Sequence, residues 1–139
     1  NDGWLAKMVL VIAITWRWTG YNTVIMLSGL QNIPDELYEA ASIDGAGKIK
    51  QFFSITIPSL KPVLVFAVIL SVTGMLQLFT EPYLLTRGGP VNETLTIVQY
   101  LYEKGFKSFD FGAASAGSYV LVVIIAVLTW LQLKLTKED

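Results

Sequence analysis

Cysteine and histidine are both absent from the 139-residue chain. Without cysteine there is no disulfide framework and no thiolate nucleophile or metal ligand. Without histidine the commonest metal ligand is gone, and so is the side chain that titrates nearest neutrality. Charge is scarce as well. Asp, Glu, Lys and Arg make up 15% of the residues, where a soluble domain carries about a quarter. The net charge is −1, so no basic excess points to nucleic acid. No G-x-x-x-x-G-K-[ST] occurs, which excludes a phosphate-cradling P-loop and ATP hydrolysis of that kind by this chain.

What remains is apolar: 53% hydrophobic residues and a mean hydropathy of +0.55. Charges are sparse in three long stretches and gather between them. That is an alternation of spans and loops, and it predicts an all-α integral membrane protein crossing the bilayer about three times. The chain starts at Asn1 without a signal-peptide pattern and is read as the later part of a longer polypeptide.

The first apolar stretch covers residues 4–30 and is long enough to span with tilt. Arg17 and the run Thr19-Gly20-Tyr21-Asn22-Thr23 interrupt it, predicting a broken or kinked helix whose polar part faces protein or a cavity. Residues 31–61 hold Asp35, Glu36, Glu39, Asp44, Lys48, Lys50 and Lys61. Pro34 suits a first helical turn, and residues 35–44 read as a short helix stopped by Gly45. A second short helix is expected over residues 46–57, ending at Pro58, with Ile49, Phe52 and Phe53 as its apolar stripe.

The second span is expected over residues 62–86, ending in the turn residues Arg87-Gly88-Gly89-Pro90. In the external loop, residues 87–111, a short helix over 94–103 suits the membrane surface. The sequon Asn92-Glu93-Thr94 is read as chance. The third span covers residues 112–133 and opens on Gly-Ala-Ala-Ser-Ala-Gly-Ser, small residues that let helix backbones approach closely. Residues 134–139 form a polar tail. Three spans put the 31–61 loop and the tail on one side, with Lys48, Lys50, Lys61, Lys134 and Lys137. Lys7, Arg87, Lys104 and Lys107 fall on the other. The positive-inside rule then favours a cytoplasmic 31–61 loop, by five cations to four.

Polar residues inside spans are costly and face a cavity or a partner. Gln77 and Glu81 are candidates to line a solute path, with Asn22, Tyr21 and Tyr83 as weaker ones. Structural hydrogen bonds between helices are the equal alternative. Arg17 is read as structural, in an intramembrane ion pair with Glu81.

The most specific signal is Glu39-Ala40-Ala41-Ser42-Ile43-Asp44-Gly45-Ala46, followed nine residues after Gly45 by Ile55-Thr56-Ile57-Pro58. It resembles the EAA loop of permease subunits in bacterial ABC importers: E-A-A, three residues, G, nine residues, I-x-L-P. Ile57 in place of Leu is the one departure. Leu30-Gln31-Asn32-Ile33-Pro34, Leu60-Lys61-Pro62, Leu84-Leu85-Thr86-Arg87-Gly88-Gly89-Pro90 and Phe111-Gly112-Ala113-Ala114-Ser115-Ala116 look like the carbohydrate branch, the maltose-transporter type. The resemblance covers essentially the whole chain.

It implies part of a larger type I importer permease in the bacterial inner membrane, with a cytoplasmic two-helix coupling loop docking on an ATPase subunit. Glu39, Ala40, Ala41, Asp44, Gly45, Ala46, Ile55 and Pro58 would form that loop. ATP and Mg would be bound by the ATPase partner, and this chain would hold no cofactor and no metal. A second permease subunit, an extracytoplasmic solute-binding protein, the sugar and membrane lipid complete the implied partners. A permease for glycerol phosphate or an amino acid, and a non-transporting scaffold that binds an ATPase, are the competing readings.

Overall fold

A computed structural model describes residues 3–137, and the described residues contain helices and turns but no strand. The elements are α1 (Gly3–Gln31), α2 (Asp35–Ile43), α3 (Lys48–Leu76), α4 (Ile97–Tyr102) and α5 (Phe111–Lys137). π-helical segments lie at Phe52–Thr56 within α3, at Pro82–Thr86, and at Glu103–Lys107 directly after α4. The chain divides into two compact units. One is Trp18–Val68, and the other combines the chain up to Arg17 with everything from Ile69 onward.

Apolar residues are mostly on the outside. The buried apolar set among the described residues is Leu10, Ile14, Ile33, Leu60, Ala67 and Leu121. Two helices, Lys48–Leu76 and Phe111–Thr136, are long and apolar enough to cross a membrane, with only 17% and 6% of their most apolar windows buried. A soluble protein would bury such helices, so their faces are made for lipid or for other apolar helices. Helix α1 has the length, 29 residues, but its polar run from Arg17 to Thr23 dilutes it.

Three expectations need correction. The helix over residues 4–30 was expected to be broken or kinked at Arg17 and residues 19–23; it is not broken, and α1 continues from Gly3 to Gln31. Gly20 has open space around it and weakens a helix without ending it. The second loop helix was expected to end at Pro58, but α3 runs on through Pro58 and Pro62 to Leu76. A proline lacks an N–H and its ring crowds the carbonyl four residues back. The wider turn before Pro58, where Ile57 N–H bonds Phe52 O five residues back, makes room for it. The span over 62–86 stops instead at Leu76, and helix resumes only at Thr80. In a continuous helix the Pro82 ring would strike the carbonyl of Leu78.

In the unit that contains α4 and α5, the small-residue run opening α5 meets the segment after the turn at residues 87–95. A Cβ on Gly117 would run into Leu101, and one on Gly105 would lie 3.2 Å from the Ala114 Cβ. The turn itself is tied internally. Thr86 and Thr94 hydroxyls are 2.7 Å apart, and Thr94 Oγ1 donates to Gly89 O at 2.9 Å. The threonine of the sequon is therefore a buried structural residue. Helix α4 begins at Ile97, three residues later than expected, because Thr96 caps it by accepting from Gln99 N–H.

Candidate functional site

The motif residues gather at the junction of α2 and α3. Asp35 and Glu36 occupy the first turn of α2, where carboxylates suit the positive end of the helix dipole. The other end closes in a Schellman turn. Gly45 N–H donates to Ser42 O at 3.1 Å, and Ala46 N–H donates to Ala41 O at 2.8 Å. This geometry needs the left-handed region, and Gly45 has φ +78°. No atom lies within 4 Å of where its Cβ would stand. The demand for glycine here comes from the backbone angle and not from crowding.

Glu39, Ala40, Asp44, Gly45 and Pro58 are exposed, while Ala41, Ala46 and Ile55 are half-buried. Glu39 and Ile43 are four residues apart and share one face of α2. Ile43 is 86% exposed, Ile49 78% and Phe53 66%. The junction thus displays a carboxylate, small residues and bare apolar side chains together.

Sequence reasoning missed the side chains that hold this junction. Gln51 Nε2 reaches Ser42 Oγ at 2.8 Å and Ala46 O at 3.0 Å, and the Tyr38 and Thr56 hydroxyls pair at 2.9 Å. Both links join residues far apart in sequence, so no local pattern reveals them.

The polar residues of the apolar stretches separate by unit. Arg17 Nε lies 2.6 Å from Glu81 Oε1. The Glu81 side chain is 12% exposed, and its other oxygen, Oε2, is buried without a hydrogen-bond donor among the described residues. Tyr83 stacks on Phe79, with centroids 4.9 Å apart, and meets the Tyr102 ring edge-on at 5.4 Å. Phe106 extends this aromatic cluster from Tyr102. The Tyr102 phenol is held above its usual range, mainly by its hydrogen bond with Tyr83. Gln77 is exposed at a groove of about 780 Å³, lined also by Tyr102, Phe106, Ser115 and Ser118. Asn22 and Tyr21 belong to the other unit, on α1.

Comparison with known proteins agrees with this architecture. Residues 2–137 match the family described as binding-protein-dependent transport system inner membrane component. The lactose transport system permease protein of Rhizobium radiobacter is 48% identical over 98% of this chain and 48% of its own length. An arabinooligosaccharides transport system permease protein of Halalkalibacterium halodurans is 43% identical over 97% of this chain and 43% of its own. The trehalose/maltose transport system permease protein of Thermococcus litoralis is 43% identical over 93% and 43%. The chain spans about half the length of these relatives. By this match over almost all of its residues, the chain belongs to the inner-membrane permease components of binding-protein-dependent transport systems.

Proposed function

We propose that the chain forms part of the translocation path of an ATP-driven sugar importer and takes its driving force from a separate ATPase through residues 31–61. The observation that carries this reading is the junction of α2 and α3, where Ile43, Ile49 and Phe53 stand bare among the charged residues of the 31–61 segment. Exposed apolar side chains rimmed by charge mark a protein interface. Glu39, one turn from Ile43, offers a carboxylate for a charge-assisted bond to a basic group of the ATPase. ATP and Mg belong to that partner.

In this reading α1 is the third span, joining α3 and α5. A helix carrying arginine is tolerated in hydrocarbon when the charge is paired, and Glu81 supplies the pair at 2.6 Å. The 31–61 loop lies in the cytoplasm and residues 87–111 lie outside. A second permease subunit and an extracytoplasmic solute-binding protein complete the transporter. The relatives named for sugars, at 43–48% identity, support a carbohydrate solute over glycerol phosphate, whose named permease is 34% identical. Glu81, the partner of Arg17, is a lining candidate. Gln77, Tyr83 and Asn22 are further lining candidates.

The test uses the complete transporter in vesicles, with ATP-driven uptake of a labelled oligosaccharide. Glu39→Lys and Gly45→Val should each lower uptake and transport-coupled ATP hydrolysis at least about tenfold, the scale of one lost bond to a charged group. The permease should stay in the membrane at near-normal amounts. Transport at the unmodified rate by both variants, with the ATPase retained through purification, refutes the coupling role. ATPase binding without any uptake by the unmodified complex would favour the scaffold reading.

A further inference from the structure

A Schellman turn closes α2, but it does not set the direction in which α3 departs. That direction passes through Gly47, an extended residue (φ −67°, ψ 164°) with nothing within 4 Å of its would-be Cβ. Left to the backbone, the junction would hinge there. Two side-chain links cross the turn instead. Gln51, in the first turn of α3, donates from Nε2 to Ser42 Oγ at 2.8 Å and to Ala46 O at 3.0 Å. Tyr38 O lies at 3.4 Å, the edge of bonding range.

The two amide protons match the two short contacts, one each. The Ser42 hydroxyl accepts from Gln51 and sends its own proton to Tyr38 O at 2.7 Å. Every donor in the relay has one acceptor. The second link is the Tyr38 hydroxyl against Thr56 Oγ1 at 2.9 Å, with Thr56 buried inside the π-helical segment.

We propose that Gln51 is a positioning residue that sets the angle between α2 and α3, with the Tyr38–Thr56 pair as its support. A push on α2 is then delivered to α3 as rigid-body motion and is not absorbed by bending at Gly47. The proposal rests on the coupling role given above to residues 31–61. The amide NH2 of Gln51 is engaged within the loop, so its donors are not the docking contact. The chemistry required at position 51 is a donor that reaches two oxygens. A leucine of similar size cannot donate, and an ionised glutamate presents only acceptors to the Ala46 carbonyl. A lysine restores the donor.

The experiment has two arms, both in the complete transporter in vesicles. The first measures solute moved per ATP hydrolysed and ATPase retention for Gln51→Leu, Gln51→Glu and Gln51→Lys. The first two should lose coupling while keeping the ATPase bound, and Gln51→Lys should stay close to the unmodified ratio. The second arm places nitroxide labels on Ile43→Cys and Phe53→Cys, two exposed positions in a chain without native cysteine. The distance distribution should be narrow with Gln51. With Gln51→Leu the open-junction population should rise about thirtyfold, the equilibrium factor of two ordinary net hydrogen bonds.

An unchanged distribution in Gln51→Leu overturns the proposal. So does loss of the ATPase on the scale seen with Glu39→Lys, which would make Gln51 a docking contact. If the distribution broadens but the coupling ratio holds, the junction's angle does not matter and the proposal is again wrong. If Glu39→Lys and Gly45→Val have no effect either, the coupling reading itself fails. The spin-label arm still decides whether Gln51 holds the turn.

Discussion

Residues 31–61 and residues 79–111 are both polar interruptions between apolar helices, and they are held together by different kinds of contact. The first is pinned by a backbone turn at Gly45 and a few side-chain bonds, and it leaves Ile43, Ile49 and Phe53 outside. The second has more side-chain contacts of its own, although Val91, Phe109 and Phe106 stay exposed. Gln99 is fully buried, Thr94 is buried, and Phe79, Tyr83, Tyr102 and Phe106 stack on one another. Lys7 reaches Glu93 at 2.6 Å and Lys107 reaches Glu103 at 2.9 Å, so even its charges are engaged. Both segments keep apolar side chains exposed, and they differ in how much buried polar and aromatic contact holds each one together.

Close helix packing should give the largest effect on stability. In the unit that contains the 31–61 loop, a Cβ on Gly29 would stand 2.9 Å from both Leu60 Cδ2 and Val63 Cγ2. Val63 is β-branched and cannot swing aside. Gly29→Val should destabilise by about 1–3 kcal/mol, read as a lower melting temperature of the complete permease in detergent. Gly117→Ala should cost less, because it meets the flexible tip of Leu101. Equal losses at the two positions would show that the stiffness of the facing side chain does not set the cost.

The next effect is at the turn. Gly45→Ala should weaken the junction by about 1–2 kcal/mol, the usual cost of a left-handed residue with a β-carbon. Gly45→Asn should cost less, since asparagine tolerates that region. Both should be read by hydrogen exchange of the Gly45 and Ala46 amides. Equal protection in all three proteins would mean that the backbone angle is not what selects glycine.

Some of this architecture is legible in the sequence because its causes are local. The helix expected at residues 35–44 is found at Asp35–Ile43, bounded by Pro34 and closed at Asp44 and Gly45. The third apolar stretch is found as Phe111–Lys137. The passage of α3 through Pro58 is not legible, because a π turn compensates the proline without changing the apolar spacing. The end of that helix at Leu76 is hidden because Leu78 and Phe79 carry the apolar run past Gln77, and the break is imposed by Pro82 from beyond it. The start of α4 was readable in Thr96-x-x-Gln99, a capping-box pattern, and was placed instead at Thr94. In the candidate site, the motif residues are local and legible. Gln51, Thr56 and the aromatic cluster act across turns and become visible only in three dimensions.

The smallest expected effect is electrostatic. The Glu103 carboxyl is held below its usual range by the hydrogen bond from Lys107 and then that from Gln99, and Lys107 is held above its own range by Glu103. A lowered carboxyl pKa gives stability that is complete above the ordinary glutamate range and is lost as pH falls through the folded value. A raised ammonium pKa gives stability that is complete below the ordinary lysine range and is lost as pH rises through the folded value. The pair should therefore contribute fully near neutrality and fade at both extremes. With the side chains 56% and 31% exposed, solvent screening keeps the contribution small. Glu103→Gln should flatten the acid limb of a pH–melting profile slightly and leave uptake unchanged. A large loss of uptake would place Glu103 in the transport path.

The contrast between the two segments is tested most directly by two side chains of similar exposure. Ile43 is 86% exposed in the 31–61 loop, and Val91 is 92% exposed at the turn of the 87–111 loop. A photoreactive residue placed at either position in the complete transporter reports what touches it. The account expects an adduct with the ATPase subunit from position 43 and none from position 91. An ATPase adduct from position 91, or none from position 43 in an intact complex, would contradict the assignment of residues 31–61 as the element that meets the ATPase.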